Sequence, residues 1–144
     1  MTTTVDARLT AISPAVLSLF RIVFGLLYTI HGAQKVLAWP VGMPTDSGEL
    51  TGPAVPMGTW PYWWAGIIEL VCGLLILTGL FTRIAAFIAS GEMAVTYFTQ
   101  HQPKAFLPIE NHGELPVLFC FGFFLLVFAG GGSIALDALL NRRR

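Results

Sequence analysis

The segment from Pro14 to Ala38 is an apolar run that carries Arg21, His31 and Lys35 within it. About 20 apolar residues cross the hydrocarbon of a bilayer as one helix, so the run is long enough to span. A charged side chain at mid-bilayer costs about 2.5 to 3.5 kcal/mol on insertion scales, and a span can hold such residues only where they face protein or water. The rest of the chain must therefore supply helices that wall these charges off from lipid. Composition agrees: 55% of the residues are hydrophobic, 11% are charged and the mean hydropathy is +0.72. Soluble domains carry about 25% charged residues, so the expected class is an integral membrane protein.

Three further segments, residues 62–80, 84–100 and 115–136, read as spans beside 14–38. The third is the shortest and holds Glu92, but its neighbours leave it little other role. The expectation is an all-α, integral membrane four-helix bundle in a single domain covering residues 1–144. The polar N-terminal stretch MTTTVDARLTAIS has no small-residue cleavage site behind it, so the first helix is expected to remain in the mature chain.

Orientation follows from the arginines. Arg8, Arg83, Arg142, Arg143 and Arg144 share the side of the two termini, whereas Lys104 and Lys35 lie on the other. The positive-inside rule then makes both termini cytoplasmic in a multi-pass protein of a bacterial plasma (inner) membrane, with NRRR as an anchor at anionic lipid. The long Gly- and Pro-rich connection across the outer side is edged by Trp39, Trp60, Trp63 and Trp64, which favour headgroup depth. Between those tryptophans the connection reads either as a lid or as a spacer.

A rise of about 1.5 Å per residue puts Arg21 roughly 10 Å and Glu92 roughly 13 Å from the cytoplasmic end, and Glu69 about 10 Å from the outer end. These three form a middle layer, expected to be a buried ion network in which Arg21 pairs with Glu69 or Glu92. An outer layer gathers Tyr28, His31, Lys35, His101, Asn111, His112 and Glu114, and is the candidate ligand pocket. Arg21, Gly25, Tyr28, Gly32 and Lys35 lie on one stripe of the first helix, and Tyr62, Gly66, Glu69, Gly73 and Ile76 on one stripe of the second. Glycines beside the charges let helices approach closely.

The motif HGAQK resembles the HGxxK signature of the DoxX family of small four-helix membrane proteins. Arg21 and Gly25 precede it at the matching places. Glu69, Gly73, Gly79, Thr82 and Arg83 in ELVCGLLILTGLFTRIAA are similar to the family's second-helix pattern. Asn111, Gly113 and Glu114 in NHGE, with Gly130, Gly132 and Asp137 in GGGSIALD, resemble its closing pattern. Ala135 stands where the family usually has Ser, and the first outer loop is longer than the family's. The resemblance implies a redox setting: thiosulfate oxidation coupled to quinone among DoxD-like relatives, and thiol or oxidative-stress chemistry beside soluble redox enzymes among DoxX members.

The expected function is therefore a membrane subunit or docking module of a redox system, not itself assigned catalytic residues, in which the outer layer can hold a quinone. Haem is disfavoured, because only His31 of the three histidines lies within a span. The alternative is a small transporter or channel-like bundle using a buried Arg/Glu relay. Cys72 and Cys120 lie apart, without a CxxC spacing. No metal-ligand spacing occurs, and a net charge of zero argues against nucleic-acid partners. Partners are expected to be the lipid bilayer, soluble redox enzymes or other membrane subunits, and a second copy in a homo-oligomer. Cysteines introduced at the N-terminus and near Arg144 should be protected from an impermeant thiol reagent in intact cells, while one at Ser47 should label; labelling of both termini from outside overturns this orientation.

Overall fold

The computed structural model describes residues 3–141. Within them the regular structure is helical, apart from one isolated antiparallel bridge between Met43 and Gly52 in the connection from residue 38 to 61. The helices are α1 (Thr4–Leu37), α2 (Tyr62–Thr78), α3 (Thr82–Thr96), α4 (Pro108–Asn111), α5 (Glu114–Ala129) and α6 (Leu136–Asn141). A π-helical turn, Tyr97–His101, continues α3. The expected anchor, Arg142, Arg143 and Arg144, lies outside the described residues.

Helix α1 starts ten residues before the expected Pro14. Thr3 and Asp6 form a reciprocal capping box that satisfies free N–H groups at the start. Pro14 then fails to break the helix. Its missing N–H leaves the Thr10 carbonyl unpaired, and the Ser13 hydroxyl donates to that oxygen at 2.9 Å. The helix ends where Ala38 turns left-handed, with φ at 51°.

Helices α1 and α2 pack antiparallel through glycines. Gly25 lies against Leu77, Gly73 against Thr29, Gly32 against Leu70, and Gly66 against Lys35 and Val36; a β-carbon at any of the four would collide with its neighbour. The buried residues of α1 and α2 include Arg21, Gly25, Tyr28, Gly32, Gly66, Glu69, Gly73 and Ile76, so most of both stripes read from the sequence faces inward. Helix α3 offers the small residues Ala85, Ala86 and Ala89 toward Phe119, Phe123 and Leu126 of α5, and the Ser90 hydroxyl donates to the Cys120 carbonyl at 2.9 Å.

The fourth segment departs from its expected extent. Helix α5 stops at Ala129 instead of continuing to Leu136, because Gly130 and Gly132 take φ values of 80° and 78°, which glycine alone adopts freely. Residues 130–135 fold back across the end of the bundle and lead into α6.

At this end the termini of α2, α3 and α5 are each completed by a side chain from elsewhere. The last four carbonyls and first four amides of a helix lack internal partners, and in an apolar surrounding each unpaired one is costly. Arg21 donates to the carbonyls of Ile76 and Leu77 at the end of α2. Arg83 donates to those of Val127 and Phe128 at the end of α5. Asp137 caps α3 from α6: its carboxylate accepts from the Phe81 and Thr82 amides and the Thr82 hydroxyl, each at 2.9 Å.

The outer surface of the helices is apolar, with Leu19, Val23, Leu26, Val71, Leu74, Phe87, Phe121, Phe124 and Phe128 exposed, while Arg21, Glu69, Ser18, Thr82 and Ser90 are buried. That distribution suits a lipid surrounding. Among the described helices, α1 is the one long and apolar enough to cross a bilayer by itself; α2 and α5 are apolar but shorter.

Burial raises the Asp137 carboxyl, but the Thr82 and Phe81 amides, the Thr82 hydroxyl and the charge of Arg21 outweigh it and hold the group below the ordinary Asp value. Its cap should therefore be fully present above the unfolded Asp value of about 3.9 and be lost as pH falls through the lower folded value. Asp137→Ala should cost about 0.5 to 2 kcal/mol at neutral pH, and the difference from the parent should shrink in acid, measured by thermal unfolding in detergent.

Candidate functional site

At the opposite end of the bundle, three helices bring a second set of polar groups together. The Lys35 ammonium from α1 meets both carboxylate oxygens of Glu69 on α2, at 2.7 and 2.6 Å. Gly66 makes this possible: its bare backbone lets the Lys35 stem lie along α2 and reach the next turn. Glu92 on α3 accepts from the Tyr28 hydroxyl at 2.8 Å and from the Thr96 hydroxyl at 2.9 Å. Glu69 is 3% exposed and Tyr28 fully buried, so both carboxylates have their partners away from bulk solvent.

Two cavities flank the Lys35 and Glu69 pair. The larger, about 600 Å³, lies between α2 and α3; Trp60, Tyr62, Trp64, Ile68, Ile88 and Val95 form much of its wall, and its polar groups include Lys35, Glu69, Glu92, Gln100, His101 and Lys104. The smaller, about 140 Å³, reaches toward α5 between Tyr28, His31, Met93, Pro116 and Phe119, and shares Lys35, Glu69, Thr96 and His101 with the first. His31 is half-buried there, with its ring edge-on to Phe119 at a centroid distance of 6.1 Å. His101, on the π-helical turn, bonds through Nδ1 to the Asn111 carbonyl at 3.0 Å. A carbonyl only accepts, so Nδ1 carries the hydrogen, and in the neutral ring Nε2 is left as an acceptor.

The expected layers are regrouped. Arg21 does not join Glu69 or Glu92: its guanidinium donates to four backbone carbonyls, Gly131 at 2.9 Å, Ile134 at 2.6 Å, and Ile76 and Leu77 at 2.5 Å each. It is a helix-end cap because the C-terminal carbonyls of α2 reach it first. Glu69 and Glu92, assigned to the middle layer, instead join Tyr28, His31 and Lys35. From the rest of the outer layer, Asn111 is buried as a loop clip, donating to the Ala105 carbonyl and accepting from the Gly113 amide. His112, left-handed at φ 56°, and Glu114 are exposed and line neither cavity, because α4 turns their side chains outward. Thr96 and Gln100 were missed by sequence reasoning; the four-residue spacing of Glu92 and Thr96 on one helix face was the available signal for the first.

Among the described residues, no group of three His, Cys, Asp or Glu side chains is placed to hold a metal ion. Cys72 and Cys120 are free thiols. The outer connection is tied down over α1, with the Val55 amide donating to the Lys35 carbonyl at 2.8 Å and the Gln34 side chain to the Gly42 carbonyl at 2.9 Å.

An all-helical chain with an apolar exterior and ionic groups held inside defines a small helical membrane protein. The DoxX family model matches residues 16–102, and the chain belongs to the DoxX family. It is 40% identical over 127 residues to an uncharacterized protein of Haemophilus influenzae, covering 86% of this chain and 90% of that one. It is 29% identical over 133 residues to an uncharacterized membrane protein of Mycobacterium tuberculosis, covering 85% of this chain and 80% of the relative. No solved structure matches.

The regrouping can be tested by double-mutant cycles. Lys35→Met should destabilise the fold by about 3 to 5 kcal/mol by leaving Glu69 buried and unpaired, and Glu69→Gln should restore much of that loss. Arg21→Leu should be as costly, yet combining it with Glu69→Gln should be additive within about 0.5 kcal/mol. Recovery in the second pair would place Arg21 back in a carboxylate network.

Proposed function

We propose that this protein spans a bacterial plasma membrane four times as a single domain, through α1, α2, α3 with its π-helical turn, and α5. Both termini lie in the cytoplasm in this reading, which Arg8 and Arg83 at one end of the bundle and Lys104 at the other support. Its role is that of a membrane subunit of a redox system, and its pocket holds the head group of a lipid-soluble quinone for a partner redox enzyme.

The cavity of about 600 Å³ carries this reading. Aromatic and aliphatic walls suit a ring and an isoprenoid tail, and the few polar groups converge on one region, as in small-molecule sites generally. Lys35 can donate to a quinone carbonyl, and His101 Nε2 can accept from a hydroxyl of the reduced form, so both redox states find a partner. Against the transporter alternative stands Arg21, whose guanidinium donates to four backbone carbonyls and not to Glu69 or Glu92.

Because Lys35→Met alone unpairs Glu69, the test uses Lys35→Met with Glu69→Gln, and separately His101→Leu, which removes the acceptor at the cavity wall. Both should reduce binding of a decyl-benzoquinone at least about tenfold, a loss of about 1.4 kcal/mol, while the unfolding temperature in detergent stays near that of the parent. Parent protein that binds no quinone above an unrelated membrane protein overturns the proposal.

A further inference from the structure

We infer that the larger cavity is loaded sideways from the bilayer, through a window between α2 and α3 that Gly91 keeps open. This rests on the quinone reading above and adds the route by which the ligand arrives.

The shape of the α2–α3 pair makes the window. A short turn, Gly79 to Phe81, joins the two helices at one end. At the other end, the cavity separates them and the Tyr62 hydroxyl donates to the Gln100 side-chain oxygen at 2.8 Å, bridging the gap. Trp60, Pro61 and Tyr62 line this end of the cavity, and Ile88, Gly91 and Val95 line its flank between the helices.

Gly91 lies in the middle of α3, is exposed, and lines this cavity. Glycine inside a helix costs about 0.5 to 1 kcal/mol relative to alanine. Elsewhere in the long helices that cost has a packing reason, since a β-carbon at Gly25, Gly32, Gly66, Gly73 or Gly122 would strike a neighbour. A β-carbon at Gly91 would meet nothing within 4 Å. Ile88 and Val95, one turn to either side, are exposed on the same stripe and form the sills of the opening. A long side chain at 91 would stand between them, in front of Glu92. What the glycine leaves room for is therefore not another part of this chain. A flat ring with an apolar tail, already dissolved in lipid, fits a slot reached this way; a water-soluble metabolite does not.

The test compares the parent with Gly91→Ala and Gly91→Leu in phosphatidylethanolamine and phosphatidylglycerol nanodiscs, titrated with decyl-benzoquinone. Gly91→Ala should unfold at a higher temperature than the parent and bind a few-fold more weakly. Gly91→Leu should lose at least about tenfold in affinity and should slow association, without a lower unfolding temperature. A merely structural glycine would move stability and leave binding alone. If both variants bind as tightly and as fast as the parent while Lys35→Met with Glu69→Gln does not bind, the window is wrong and the pocket stands. If the parent itself binds no quinone, both fall together. Should Gly91→Leu fail to fold, the affinity of Gly91→Ala decides alone, and no loss there overturns the window.

Discussion

The guanidinium of Arg21 on four backbone carbonyls is the interaction on which the rest of the architecture depends. Its donors reach Ile76 and Leu77 at the end of α2 and Gly131 and Ile134 in the segment that follows α5, so one side chain of α1 ties two other parts of the chain together. Carbonyls at a helix C-terminus carry partial negative charge and lack internal partners, which lets them stabilise a buried cation without a carboxylate. Ser18, one turn earlier, extends the same junction by accepting from the Ile134 amide. With Arg83 on the end of α5 and Asp137 on the start of α3, this end of the bundle is a set of mutual caps. Its charged side chains are occupied by these bonds, and the cavity of about 1010 Å³ beside them is walled mainly by apolar residues and glycines.

That arrangement leaves chemistry to the other end. Phe24, Ile76 and Phe123 belong to the apolar core, and at the other end Lys35 closes on Glu69 and Tyr28 on Glu92. A neutral ion pair and a carboxylate bonded to two hydroxyls are stable arrangements in a medium that penalises bare charge. They are also polar enough to orient a ligand head group in the adjoining cavities.

The two departures from the family pattern take on physical meaning in this setting. Ala135 is buried tightly against Gly79 and Gly131, both of whose missing β-carbons it would meet at 2.7 Å, so the position is governed by space. The long outer connection is bonded to Lys35 and Gln34 at the end of α1, and its last residues form part of the cavity wall. The connection is thus part of the site's boundary as well as a link between helices.

What the sequence determined by itself was the membrane class, the helical segments, the inward stripes on α1 and α2, and the family, because all of these follow from local properties: apolar runs, a period of 3.6, and motif residues at fixed spacing. It also singled out Tyr28, His31, Lys35, Glu69 and Glu92. Which cation meets which anion was decided only by the tertiary structure. Depth counted along one helix places Arg21 and Glu92 at similar levels, but it says nothing of the glycine-set register that slides Lys35 onto Glu69. Nor does it show that the chain past Gly130 folds back to offer Arg21 its carbonyls. The inward role given to His112 and Glu114 failed for the same reason: a four-residue helix and a left-handed turn direct those side chains, and neither is visible in hydropathy. The empty space beside Gly91 belongs to the same class of facts, because a void is a property of how helices diverge and no residue encodes it alone.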